Sequence, residues 1–174
     1  HAQPRRGRVR SIDSSHRAII AKLRNDINSF SEKVDSVVVI NLASTEKLAV
    51  EGNEILNSLA GCETALDDNS ADISPAMLYA YAAIAERIPY GNFTPSVSVD
   101  IPALIEFAEK MAVPVAGKDG KTGQTFIKSV LAPAFRSRAL RVMGWFSTNI
   151  LGNRDGLALS NSDSLASKIK TKSS

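Results

Sequence analysis

Two polar loops and a terminal lysine cluster hold the residues best suited to chemistry. The first loop is AGKDGKTGQTFIKSV, Ala116 to Val130, in which Gly117, Gly120 and Gly123 accompany Thr122, Gln124 and Thr125 at the start of a segment with helical apolar spacing. The first turn of a helix leaves backbone N–H groups unpaired and carries partial positive charge, so such a loop suits a phosphate. A Walker A loop needs glycine, four residues, then Gly-Lys-Ser/Thr. Gly120, Lys121 and Thr122 supply that ending, but Val115 stands where the first glycine should be and Gly117 comes too late, so an ATP loop is disfavoured. Glycines making a tight strand-to-helix turn explain the spacing at least as well. Three hydrogen-bonding side chains beside the helix start exceed what a bare turn needs, and the phosphate reading stays open.

The second loop is STNILGNRDG, Ser147 to Gly156, rich in Asn149, Asn153, Asp155 and glycine directly after a strand-like stretch. Such composition is usual for a turn. Its position also fits the rule that ligands of α/β sheets gather beyond the carboxyl ends of strands. Lys168 and Lys172 follow in SKIKTKSS. Alternating lysines suit a solvated edge or tail, and equally an anionic substrate whose developing oxyanion an ammonium would stabilise.

The totals narrow the setting for these loops. A chain of 174 residues, 44% hydrophobic and 22% charged, suffices for one domain with a substantial core. Apolar runs reach about six residues against the roughly 20 of a membrane span, and the first thirty residues contain no signal-like apolar region. The single Cys62 excludes an internal disulfide and is expected in a reducing cytoplasm, and one Cys with two His is too few for a Cys/His zinc site. No metal ligand set is expected. The net charge of +3 is uneven, with Arg5, Arg6, Arg8 and Arg10 at one end and Lys168, Lys170 and Lys172 at the other. Without interleaved aromatics or a reading helix, the arginines are better read as a solvated arm than as a nucleic-acid contact.

The elements that must position the loops alternate. Ile19, Ile20, Leu23, Ile27 and Phe30 predict an amphipathic helix over residues 15–34 with its cap in SSH. SVVVINLAS, Ser36 to Ser44, reads as a buried parallel strand. A second helix is expected from Glu46 to about Leu59, followed by a surface loop in GCETALDDNSADIS. SPAMLYAYAAIAERI has Ser74 as cap, Pro75 at the first helical position and one apolar face through Met77, Leu78, Tyr81, Ile84 and Ile88. PYGNFTPSVSVD gives a short strand and loop, IPALIEFAEKMA a helix, VPVAG a strand, GQTFIKSVLAPAFRSRAL a helix, and RVMGWFSTNILGN a strand-like stretch. Strands alternating with helices of this size predict an α/β fold, a layered sheet with helices.

VVVINLASTE, SPAMLYAYAAIAERIPYGNFTP, GKDGKTGQTFIKSVLAP, GWFSTNILGNRDG and SKIKTKSS, in that order, resemble the inositol-phosphate synthases, with wording nearest to bacterial or archaeal members. The resemblance runs from Ile19 to Ser174 and implies an NAD-dependent, redox-neutral conversion of glucose 6-phosphate to inositol phosphate. It implies Thr122, Gly123, Gln124 and Thr125 as the substrate-phosphate cradle, with Lys172 as a cationic partner. Asn149, Leu151, Asn153 and Asp155 would face the sugar oxygens, and Lys168 would steady the oxyanion, with Lys168, Asp155 and Asn153 as the catalytic set. Ala43, Thr94 and Asp119 would line the nicotinamide cofactor. The expected organisation is a basic arm (1–14), the end of a Rossmann-like cofactor domain (15–72) and an inserted catalytic and oligomerisation domain (73–174), cytoplasmic and homotetrameric. Family members are much longer and open on a glycine-rich dinucleotide turn, whereas no G-x-G-x-x-G occurs here. The expectation is therefore the middle of such an enzyme, a poor catalyst alone. The alternatives are a non-catalytic assembly module or a sugar-phosphate-binding module from that family, and, last, a nucleic-acid binder acting through the arginines.

Overall fold

The computed structural model describes residues 15–46 and 54–147. Three short strands, β1 (Val39–Asn41), β2 (Tyr90–Asn92) and β3 (Val115–Gly117), form a parallel sheet in the order β1-β2-β3. Val39, Tyr90 and Val115 lie in register, as do Ile40, Gly91 and Ala116, and then Asn41, Asn92 and Gly117. Side chains alternate across a strand, so the first and third rows share one face.

That face is the covered one. Tyr90 is 2% exposed, and Val39 and Val115 pack against the main core. α3 (Pro75–Ala85) packs on β1 and β2, behind it α1 (His16–Ser31) and α4 (Pro102–Met111) pack on α3, and α2 (Leu59–Asp67) packs on α1 and α4, with a 3-10 turn at Glu54–Asn57. The opposite face is open at Ile40, 51% exposed. The expectation of a buried strand over Ser36–Ser44 is thus corrected, because the described helices lie on one face and β1 is the edge of the described sheet. One core cluster runs from Ile20 to Ala108 and draws on both sides of position 72. Helices on a small parallel sheet make this a Rossmann-like α/β fold, as the alternation predicts.

Local signals explain most of the elements. Ser15 Oγ accepts the N–H of Ala18 at 3.2 Å, and Ser74 Oγ that of Met77 at 3.3 Å with Pro75 in the first turn. Three local expectations are corrected. The helix expected over Glu46 to Leu59 is absent from the described part, since 47–53 lie outside the described residues and the chain makes only the 3-10 turn before Ser58. GCETALD is helix rather than loop, because Ser58 Oγ caps Gly61 N–H at 3.1 Å and Leu59, Cys62, Ala65 and Leu66 return to one buried face. α3 is buried nearly all round, with Ala76, Ala80, Ala82 and Ala83 at 1% exposure or less, because small residues admit neighbours on its other sides.

The last described helix, α5 (Gly123–Ser137), follows β3 with no buried residue and carries Pro133 inside it. It ends at Ser137 with Arg138 as its cap, and Ala139 takes a positive φ of 50°. The strand expected in RVMGWFS does not form over residues 141–147, where no neighbouring strand takes up its hydrogen bonds; the rest of that stretch lies outside the described residues.

Candidate functional site

The carboxyl ends of the three strands bring together Ala43, Thr94 and Asp119. Asn41 Oδ1 accepts the N–H of Ala43 at 3.1 Å, and Asn41 Nδ2 donates to Asn92 Oδ1 at 3.3 Å. The same Asn92 oxygen accepts from Thr94 N–H at 3.1 Å and from the Thr94 hydroxyl at 2.8 Å. Thr94 C=O then accepts the N–H of Asp119 at 3.0 Å, while Phe93 C=O accepts that of Gly120 at 3.2 Å. A single relay therefore ties the loops after all three strands.

Within it, the Thr94 hydroxyl is buried and both donates and accepts, taking the Ser96 N–H at 3.2 Å. Ala43 is exposed and Asp119 half-buried. The Ser96 hydroxyl accepts the N–H of Glu46, whose carboxylate in turn takes the N–H of Ala76 at 3.2 Å in the first turn of α3. Burial raises the Glu46 carboxyl above its ordinary range, and its hydrogen bonds from Ala76 and Ser74 oppose that shift.

The glycines have identifiable reasons. A Cβ on Gly117 would meet that of Asn92 at 3.0 Å, so the missing side chain leaves Asn92 its place in the Asn-Asn-Gly row. A Cβ on Gly120 would lie 2.2 Å from the Phe93 ring. Gly123 sits at φ +53° with open space around its Cβ position, so its need is conformational. Gly117 thus answers the neighbouring strand and Gly120 the Phe93 ring, while Gly123 alone of the three has a positive φ.

Thr122 precedes α5 in extended conformation, φ −125° and ψ 168°, and gives no side-chain cap to the helix. Gln124 and Thr125 are half-buried beside it, and Gln124 Nε2 reaches Ser147 C=O at 3.4 Å. The start of a 15-residue helix thus presents its first turn without a capping side chain, beside the relay. A cleft of about 290 Å³ adjoins β3, lined by Asn92, Val99, Asp100, Ile105, Gly117 and Lys118 among others. Asn149, Leu151, Asn153, Asp155, Lys168 and Lys172 lie outside the described residues.

Sequence reasoning missed Asn41 and Asn92. Their signal was present, an asparagine closing each of two short strand segments, VIN and YGN, but nothing in the sequence reveals that the two stand in register.

Comparison with known proteins places the chain in a family. The family model described as myo-inositol-1-phosphate synthase, an NAD-binding domain, matches residues 2–169. Inositol-3-phosphate synthase 1 of Bacteroides thetaiotaomicron is 48% identical over 157 residues, covering 88% of this chain and 36% of that protein. Inositol-3-phosphate synthase of Dictyostelium discoideum is 37% identical over 154 residues, covering 87% of this chain and 30% of that protein. The crystal structure of inositol-3-phosphate synthase from Caenorhabditis elegans matches with a TM-score of 0.76 at 28% identity, over 89% of this chain and 30% of that one. The chain spans about a third of the length of these relatives. Family match and parallel-sheet geometry agree, and the chain belongs to the myo-inositol-1-phosphate synthase family.

Proposed function

We propose that this chain supplies part of the NAD site and the substrate-phosphate cradle of an inositol-3-phosphate synthase. That enzyme would convert D-glucose 6-phosphate to 1D-myo-inositol 3-phosphate by oxidation, enolisation, intramolecular aldol closure and reduction. The observation that carries this reading is the meeting of the Ala43, Thr94 and Asp119 loops at one sheet edge, next to the uncapped start of α5. Ligands of α/β sheets bind at that edge.

The residues present fit a dinucleotide. Gly117 and Gly120 keep side chains off the edge, and the buried relay fixes its backbone. With no G-x-G-x-x-G in the sequence, these loops suit a part of the cofactor other than the pyrophosphate. Bound there, NAD supplies a hydride acceptor for the sugar and a donor for the ring ketone.

The chain's own residues do the rest. Backbone N–H groups of Gly123, Gln124 and Thr125, with the Thr122 and Thr125 hydroxyls and the Gln124 amide, hold the phosphate and so fix the distance of the carbon chain from the cofactor loops. Lys172 adds charge to that grip. Asn149, Leu151, Asn153 and Asp155 would orient the sugar, and Lys168 would stabilise the enolate oxygen as charge develops. Isothermal titration with glucose 6-phosphate and with glucose tests the cradle. Binding of the phosphate ester alone is expected; equal heats for both sugars, or none for either, would count against it.

A second reading, association with a second copy, is favoured by α5 itself. It buries no residue and leaves Phe126 51%, Ile127 45% and Val130 55% exposed. Residues 118–147 carry six Lys/Arg and one Asp, while 15–117 carry seven Lys/Arg and 14 Asp/Glu. A basic amphipathic helix beside an acidic body suits assembly, by which the family's homotetramer would also be served.

A further inference from the structure

Asn92 is the residue that the proposed chemistry leaves without a role. It is 4% exposed, in the middle strand and the middle of the Asn41, Asn92, Gly117 row. Its oxygen takes three donors, two from Thr94 and one from Asn41, and its Nδ2 donates to Ser96 C=O at 2.6 Å. That set of partners fixes the amide's orientation, since the oxygen faces donors and the nitrogen faces a carbonyl. It also fixes the residue type. Aspartate offers the acceptor without the donor when ionised, leucine offers neither, and glutamine is a carbon too long.

A buried asparagine that served only its own turn would bond within residues 92–96. Asn92 does that, and it also reaches across the sheet to Asn41, whose other end holds Ala43. Through Thr94 it sets the carbonyl that receives Asp119 N–H. The close approach of Gly117 keeps the third strand against it. Every residue assigned to the cofactor edge is therefore one or two hydrogen bonds from this side chain, and among the described residues no side chain of Ala43, Thr94 or Asp119 bonds directly to another of the three loops.

We propose that Asn92 is the positioning residue of the cofactor edge, holding the Ala43, Thr94 and Asp119 loops in one fixed arrangement for NAD. The proposal rests on the reading of this edge as the NAD site. Asn92→Asp keeps the shape and the acceptor and replaces the donor to Ser96 C=O. NAD titrated by calorimetry at pH 8 is expected to bind about tenfold more weakly to the variant. Amide hydrogen exchange supplies a readout free of ligand. The Ala43 and Asp119 N–H groups are expected to exchange faster in Asn92→Asp, with the amides of α4 unchanged.

Asn41→Ala, at a half-buried position, cuts one arm of the relay and keeps the test open if Asn92→Asp does not fold; a smaller loss of NAD affinity and faster exchange at Ala43 alone are expected. Unchanged NAD affinity and unchanged exchange at both amides overturn the proposal. An unsubstituted chain that binds no NAD overturns the cofactor reading instead, and the role of Asn92 in holding the loops is then decided by exchange.

Discussion

A methyl group at Gly61 would lie 2.4 Å from the backbone carbonyl oxygen of Ile55, a neighbour that cannot swing aside. Alanine would favour helix α2 by about 1 kcal/mol on propensity, but the overpacking it forces costs roughly 1–3 kcal/mol or more against a fixed backbone. Gly61→Ala is expected to lower stability in urea unfolding, and an unchanged or raised midpoint would contradict the close packing. Tyr81 makes a different demand. Its phenol is pushed up to about 12, by burial first and then by the Glu63 carboxylate that accepts its hydrogen bond, while Arg17 opposes the shift. A folded value above the ordinary 10.0 means that this contribution is complete below that pH and lost as the pH rises through about 12. Tyr81→Phe should be less stable near neutrality by about 1 kcal/mol, and its stability should fall less steeply across that alkaline window. Residues of this scale were partly legible in the sequence. Thr122, Gly123, Gln124 and Thr125 stand out by type and by their place before a helix, whereas Asn92 matters through partners 51 residues away or across a turn, which spacing does not display.

Among the elements, those marked by local chemistry were legible and those decided by neighbours were not. Ser15, Ser74 and Pro75 announce α1 and α3 because a cap acts within four residues of chain. α2 was masked by its own polar residues, Glu63, Thr64 and Asp67, which face Arg17 or solvent while Cys62 and Leu66 enter the core. RVMGWFS has the composition of a strand, yet composition confers no partner for its backbone. α4 ends at Ala112 in the left-handed region, φ 53° and ψ 45°, with its N–H turned back to Ala108 and Glu109. Ala112→Gly is therefore expected to raise the thermal midpoint, by a stability gain of up to about 1 kcal/mol. A lower midpoint would show that the left-handed cap carries no strain.

Across the described residues, α1 to α4 and the sheet form one core, and α5 stands outside it. Among the described residues no helix is long and apolar enough to cross a membrane. The division of charge predicts that any self-association through α5 weakens as salt screens it, over a Debye length of about 10 Å at 0.1 M and about 3 Å at 1 M. Sedimentation of the chain should show less association at high salt, and Phe126→Ser with Val130→Ser should abolish it; salt-independent association, or association indifferent to both changes, would remove α5 from the interface. The α/β class was readable from the alternation of strands and helices, because it follows from chain order. The one-sided cover of the sheet was not, since it depends on which helices fold back.

The uncapped start of α5 beside the Asn92 relay is tested most directly by amide-resolved NMR of the 174-residue chain titrated with glucose 6-phosphate. Saturable shifts at the Gly123, Gln124 and Thr125 amides, absent when glucose is added instead, are the expected result. Shifts confined to the arginines near the start of the chain, or none at these three amides at saturating ligand, would contradict it.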